Sequence, residues 1–447
     1  MPPFQYLDGE LMAERVRVAD VADRFGTPLI VHSARSLARH HERIQSALTP
    51  IGASVHFAVD ACPDLGVLRA LAERGAGFYA GGGLHLERAW LAGASMQRVV
   101  LAGVGKSDEV LRAAVDGVYS PMFGLGTLVG DKPASYRGPV GLLSLDNPLE
   151  LERLRRAASG LRVNCRAMIR VAIDPDGEGE TKFGVSPDDV ELFLSRHDPA
   201  GPVKIVGLHA HTPPGGRDAA RIGRTASLLC ELGLGLRARH EHIDTIDVGG
   251  GWAAVGLSRR VELPETYADA VSGATHRWVA EGGSVIVEPG RAISASAGIL
   301  VTRVLDVKRL HGRDIAYCDA GLEERLRPSD AGGFRLAWPV SVDSGQEPPS
   351  DEDSRIDSRN MHWADLAGPT GRERDALARG RLLPKIESGD LIAVFGAGAY
   401  ASRCVLTQSG RDGCARIIVD EYSARLTRAK GDGPASLRPE LDTGSPA

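Results

Sequence analysis

Carboxylates at the ends of apolar strands are the first features of this sequence able to do chemistry. Asp60 closes an apolar run, Val55 to Val59, within HFAVDACPD (56–64). Pro63 then breaks the strand, and LGVLRALAERG follows with helical spacing. Glu288 closes a second run in VIVEPGR, ahead of a Pro289–Gly290 turn and Arg291. A guanidinium there binds an oxyanion through two parallel donors; a surface Glu–Arg pair is the plain alternative. Two neighbouring carboxylates at an apolar mouth push one pKa upward, which suits proton transfer near neutral pH. Asp60 and Glu288 are the candidates for that work.

Other groups also fall at strand ends. In DVGGGW, Asp247 is followed closely by Gly249, Gly250 and Gly251. Glycines let backbone N–H groups approach an anion, and a following helix N-terminus would add a favourable dipole; a tight turn is the alternative. GLHAHTPPGG carries His209 and His211. They are expected on opposite faces of a strand, with at most one facing the pocket, so a metal site from the pair is not expected. CDAGLEERLRP brings Asp319 and Arg327, and FGAGAY brings Tyr400.

The elements that position these groups alternate. Strands are expected at 55–59, 76–79, 99–101, 141–145, 167–173, 204–209, 243–248 and 284–287, with helical stretches between them. Eight strands separated by helices predict a (β/α)8 TIM-like barrel, with a doubly wound open sheet as the alternative. In a barrel, function gathers at the C-terminal strand ends. Residues 119–139, rich in Gly, Pro and Ser, read as an inserted loop. After Arg291 the texture becomes β-rich. The expected organisation is an N-terminal segment (1–30), a barrel (31–291), a β-domain (292–428) and a disordered tail (429–447). The acidic stretch 343–362 reads as a mobile excursion.

Composition narrows the function classes. A net charge of −5 over 447 residues gives no basic footprint for nucleic acid. No apolar run spans a bilayer, and the start lacks the basic and apolar regions of a signal peptide. The six cysteines form no CxxC pair, which fits a reduced, cytoplasmic protein.

In order along the chain, GAGF (75–78), GVGKSDEVLRAA (103–114), KFGV (182–185), GLHAH (207–211), DVGGG (247–251), EPGR (288–291), DAGL (319–322), RP (327–328) and GAGAY (396–400) resemble the fold-type III pyridoxal-phosphate decarboxylases, the group of diaminopimelate and ornithine decarboxylases. The resemblance runs from about residue 20 to 425. It implies an alanine racemase-like barrel plus a β-domain built from both chain ends, and a homodimer. It implies that Gly249, Gly250, Gly251, Gly290 and Arg291 cradle the cofactor phosphate, and that Tyr400 reaches it. Glu288 would pair with the pyridine nitrogen, His211 would stack on the ring, and Arg327 and Asp375 would meet a small carboxylate substrate.

The sequence departs from that family at chemical positions. The family's A-V-K-A-N-P carries the lysine that tethers the cofactor; here the frame reads Ala58-Val59-Asp60-Ala61-Cys62-Pro63. A carboxylate forms no Schiff base. Gly371 stands at the family's catalytic cysteine, while Asp375 is kept; Tyr79 and His85 replace acids, and Pro213 and Pro214 follow the histidine strand. The expectation is therefore no covalently bound cofactor, with pyridoxal phosphate held only non-covalently if at all. Three readings follow: an atypical decarboxylase-like lyase with Asp60 as general acid or base, an inactive partner subunit in a heterodimer with an active paralogue, or a conventional enzyme with a relocated lysine such as Lys106 or Lys182.

Overall fold

The computed structural model describes residues 3–117, 139–177, 181–212, 218–240, 242–254, 262–321, 336–343, 345–348, 360–373, 375–400 and 413–430. The chain divides into two compact units. One comprises Ala38–Ala253 and Glu262–Ile293; the other comprises Met1–Leu37, Ala254–Val261 and Ser294–Ala447.

The first unit is a closed parallel barrel. Its strands are Ser54–Ala58, Gly77–Ala80, Val99–Leu101, Leu142–Leu145, Cys165–Arg170, Val203–His209, Thr245–Asp247 and Ser284–Val287. The eighth strand pairs with the first, Ile286 opposite Ser54 and Val287 opposite Val55, which excludes the open sheet. The strands read as apolar runs because helices cover one face and the barrel interior the other. Val100, Ala102, Leu142, Met168, Val206 and Ile286 form one buried cluster, with Tyr79 packed against it. Local chemistry starts the helices between strands. The Asp64 side chain accepts from the Gly66 N–H at 2.8 Å to cap Leu65–Ala72. Asn147 accepts from the Glu150 N–H at 3.0 Å ahead of Pro148, capping Pro148–Ala158.

Two stability predictions arise here. Gly273 lies exposed inside the helix Pro264–Ala280, and a Cβ there would meet nothing within 4 Å. Gly273→Ala should raise stability by about 0.5–1 kcal/mol in a denaturant titration. His56 is buried on the first strand, and burial, helped by the Arg98 charge, pushes its pKa down to about 4. A depressed folded pKa means that its contribution is complete above the unfolded value near 6.5 and is lost as pH falls toward 4. Lowering the pH from 7 to 5 should therefore cost stability, and His56→Gln should remove about 1–3 kcal/mol of that pH-dependent loss.

The second unit is β-rich. Phe4–Leu7, Glu10–Ala13 and Val16–Arg17 form a small antiparallel sheet. A larger sheet runs Ala376–Pro384, Met361–Ala367, Arg313–Cys318, Gly298–Leu310, Leu29–Ser33, Ala415–Asp420 and Ser423–Arg428. Leu391–Phe395 also pairs with Gly298–Leu310, and Ala337–Pro339 pairs with Leu391–Phe395. Leu29–Ser33 lies antiparallel to Gly298–Leu310 and parallel to Ala415–Asp420, so both chain ends build this sheet.

Several expectations need correction. The strand Leu29–Ser33 and the residues to Leu37 belong to the sheet unit, so the barrel unit starts at Ala38 rather than 31. A wholly buried LIVHS run reads alike in either sheet. Met361 and His362, placed in a mobile excursion, already form strand. Residues 119–138 of the expected loop, and 431–447 of the expected tail, lie outside the described residues. Among the described residues, no helix is long and apolar enough to cross a membrane.

Candidate active site at the barrel mouth

Barrel topology carries the chemical groups to one end. Asp60 follows the first strand by two residues, His209 ends the sixth, Asp247 ends the seventh, and Glu288 follows the eighth. Asp60 is partly exposed, whereas Asp247 and Glu288 are buried. The Tyr79 hydroxyl registers their company. Burial raises its pKa first, the charges of Glu288, Asp60 and Asp247 raise it further, and Arg170 opposes them. Tyr79 thus stays a neutral phenol.

The turn after the seventh strand is held by backbone contacts that only glycine permits. The Gly249 N–H donates to Asp247 Oδ1 at 2.9 Å, and Glu288 N–H donates to the Gly249 carbonyl at 2.8 Å. A Cβ at Gly250 would lie 2.5 Å from the Glu288 carbonyl oxygen and 3.2 Å from His211 Cε1. At Gly290 it would lie 2.7 Å from the Ala61 Cβ. The expected helix dipole behind the triplet is not seen: Gly249 to Ala254 are irregular, and the next described helix begins at Pro264. Arg291 instead opens the single turn Arg291–Ser294 directly after the Pro289–Gly290 turn.

The two histidines also depart from expectation. His209 Nε2 and His211 Nδ1 each lie 3.7 Å from Glu288 Oε2. Residues two apart on a strand share a face, so the expectation that these two rings point apart was mistaken in its geometry. His209 Nδ1 shares a 2.7 Å hydrogen bond with Ser144 Oγ, and burial holds its pKa down at about 3, so the ring is neutral. The Gly250 N–H donates to His211 Nδ1 at 3.2 Å. Both Glu288 oxygens, His209 Nε2 and Asp247 Oδ2 are buried without a hydrogen-bond partner. Burial first, then the Glu288 charge, raises the Asp247 carboxyl well above its ordinary range. Such unpaired buried groups are costly and mark a place where something binds.

Arg170 was not anticipated. It ends the fifth strand, buried, with its guanidinium 4.4 Å over the Phe183 ring, and supplies positive charge among these acids. An arginine closing the apolar run of CRAMIR was the available signal. Lys106, a candidate relocated lysine, is spent elsewhere. Its Nζ donates to the Gly103 carbonyl at 2.7 Å and, in the buried interior, to the Ser144 carbonyl at 2.8 Å and Glu150 Oε1 at 2.9 Å. Lys182 lies with its Nζ 5.1 Å over the Phe183 ring.

The remaining expected residues belong to the sheet unit. Asp375 is buried; its Oδ2 accepts from the Thr370 N–H at 2.8 Å, and it packs so closely on Gly321 and Gly368 that neither tolerates a Cβ. Asp319 accepts from the Thr27 and Thr302 hydroxyls at 2.5 and 2.7 Å, a structural junction. Tyr400 follows the strand Leu391–Phe395 with φ +53°. Arg327, Pro213 and Pro214 lie outside the described residues.

A parallel eight-stranded barrel with a separate sheet unit, its polar residues gathered at the C-terminal strand ends, is the architecture of the alanine racemase-like, fold-type III decarboxylases. Residues 34–295 match the family described as "Pyridoxal-dependent decarboxylase, pyridoxal binding domain", and the chain belongs to that family. It is 33% identical to a diaminopimelate decarboxylase of Pseudomonas fluorescens over 98% of this chain and 100% of that one. It is 32% identical to one from Pseudomonas aeruginosa, over 96% of each. Among solved structures, AQ1208 from Aquifex aeolicus superposes with a TM-score of 0.79 at 26% identity, covering 98% of both chains. A diaminopimelate decarboxylase from M. jannaschii reaches 0.81 at 20% identity, covering 96% of this chain and 95% of that one, a likeness of fold.

The match corrects one expectation outright. A chain with no covalently bound cofactor, or with pyridoxal phosphate held only non-covalently, is not what a pyridoxal-binding domain of a pyridoxal-dependent decarboxylase points to; it points to pyridoxal phosphate as the cofactor. That expectation leaned on the single side chain of Asp60. The rest of the mouth fits the group. Gly250 packs on the Glu288 carbonyl and Gly290 on Ala61 too closely for a side chain, which keeps these turns bare backbone, and Glu288 presents buried oxygens able to meet a ring nitrogen.

Proposed function

We propose that this protein is a pyridoxal-phosphate decarboxylase acting on a small amino acid, with residue 60 rebuilt from the family's lysine to a proton-handling aspartate. The observation that carries the reading is the pair of unpaired buried Glu288 oxygens beside glycines that tolerate no side chain. Gly249, Gly250, Gly251, Gly290 and Arg291 bind the phosphate through backbone N–H groups and a guanidinium. Glu288 holds a proton on the ring nitrogen, and His211 lies against the ring. The bound cofactor supplies the electron-withdrawing ring that accepts the electrons left behind by carbon dioxide. Asp60 moves a proton at the reacting carbon, while the neutral Tyr79 hydroxyl and the Arg170 charge orient groups beside it. Tyr400 reaches the phosphate, Arg327 recognises the substrate carboxylate, and Asp375 is a second substrate-binding residue. The working form is a cytoplasmic homodimer.

The test is carbon dioxide release from purified protein supplied with pyridoxal phosphate and a panel of amino acids that includes diaminopimelate, the substrate in the names of its relatives. Cofactor-dependent release from one of them is expected. A second reading draws on Asp60 and Gly371 together: a partner subunit that heterodimerises with a lysine-bearing paralogue. Silence across the panel, with such a paralogue co-purifying, would favour it.

A further inference from the structure

We propose that a cavity beside the second and third barrel strands receives the side chain of the amino-acid substrate and selects one that is apolar and uncharged. This rests on the decarboxylase reading of the barrel mouth. The cavity holds about 420 Å³. Its walls are Gly81 to His85 on one side and Val104 to Ser107, with Val110, on the other. Both stretches follow strands, Gly77–Ala80 and Val99–Leu101, at the barrel end that carries Asp60. Tyr79 links the cavity to the reacting groups. Its side chain packs on the barrel interior, and its hydroxyl senses the charges of Glu288 and Asp60. A Cβ on Gly81 would stand 3.8 Å from Tyr79 Cε1 and 3.5 Å from His85 Nδ1. The cavity therefore begins at the edge of the Tyr79 ring. A substrate whose reacting carbon lies beside Asp60 extends its side chain over Gly81 into it.

The lining decides which side chain fits. Among the described residues that line the cavity, none carries a carboxylate. Lys106 is buried, and its Nζ is committed to the Gly103 and Ser144 carbonyls and to Glu150. The Gly81 N–H donates to His85 Nδ1 at 3.3 Å, so that nitrogen keeps its lone pair and the ring is uncharged. Ser107 Oγ accepts from the Val110 N–H at 3.3 Å, which caps the helix Asp108–Asp116. An ammonium or a carboxylate carried in here would give up water without meeting a counter-charge, a cost that an apolar chain does not incur. Leu84 and Val104, 46% and 39% exposed, are large apolar side chains that lose water on contact with such a chain. Glycine keeps the space open. A Cβ at Gly82, whose φ of 169° is ordinary extended backbone, would meet nothing within 4 Å.

The experiment measures carbon dioxide release by the full-length protein supplied with pyridoxal phosphate. It compares L-norleucine, L-ornithine, in which an ammonium replaces the terminal methyl, L-glutamate and L-alanine. The kcat/KM for norleucine should exceed that for ornithine and for glutamate at least about tenfold. Gly82→Leu should lower it for norleucine about tenfold or more, chiefly through KM, while L-alanine, too short to reach the cavity, changes by less than about threefold. His85→Glu, which brings a carboxylate to the wall, should swing the preference toward ornithine by about tenfold. Circular dichroism confirms that both variants fold. Ornithine, glutamate or diaminopimelate preferred by the wild type, or norleucine and alanine lowered alike by Gly82→Leu, overturns the proposal. If no amino acid releases carbon dioxide, the decarboxylase reading fails, and equilibrium dialysis of the same four decides the cavity. Norleucine held more tightly than ornithine, and loosened by Gly82→Leu, upholds it; equal or absent binding overturns it.

Discussion

Asp60→Asn should lower kcat about 10²- to 10⁴-fold while changing the dissociation constant for pyridoxal phosphate by less than about threefold. The side chain sits two residues beyond the first barrel strand, partly exposed, with its charge felt at the Tyr79 hydroxyl. None of the groups assigned to the phosphate or to the ring nitrogen is Asp60, so removing one negative charge leaves binding in place. The amide keeps the shape and loses the exchangeable proton. Steady-state kinetics with the substrate from the carbon dioxide panel, alongside equilibrium dialysis of the cofactor, separate the two quantities. Equal turnover by the variant would remove Asp60 from the mechanism.

Glu288→Gln should move binding and stability in opposite directions. Cofactor affinity should fall about 100-fold, the loss expected when a buried charge-assisted hydrogen bond of up to about 3 kcal/mol is replaced by a neutral one. The cofactor-free protein should become more stable at neutral pH by about 1–2 kcal/mol. The reason lies with Asp247, whose pKa is raised by its own burial and then by the Glu288 charge. An acid with a raised folded pKa costs nothing below its unfolded value near 3.9; the penalty grows as pH rises through the folded value. Removing the Glu288 charge lightens that penalty, so the gain should shrink as the pH is brought down toward 4. Denaturant titrations of both proteins at pH 4.5 and 7.5 measure it. Equal stability at both values would mean that the two acids do not sense one another.

The barrel was legible because its strands are apolar runs bounded by Gly, Pro and charge, and buried parallel strands have no other way to read. Each strand was placed to within three residues at either end. The N-terminal sheet was not legible: Phe4–Leu7, Glu10–Ala13 and Val16–Arg17 are too short to show a period. Asp60, Glu288 and the glycine triplet could be found because strand ends predict the mouth of a barrel. The approach of His209 and His211 to Glu288 was open to the sequence as well, since residues two apart on a strand share a face, and only their placement on opposite faces hid it. Arg170 was hidden in a strand that otherwise reads as core. The cofactor was misjudged by weighing one changed residue above the cradle around it.

The most direct measurement is equilibrium dialysis of pyridoxal phosphate against the wild-type chain and Gly250→Ala, whose added methyl would sit 2.5 Å from the Glu288 carbonyl oxygen. Saturable binding of one equivalent per wild-type chain, weakened at least about tenfold in the variant, is the predicted result. No saturable uptake by the wild type, or the same isotherm for both proteins, would contradict a cofactor seated in the glycine cradle.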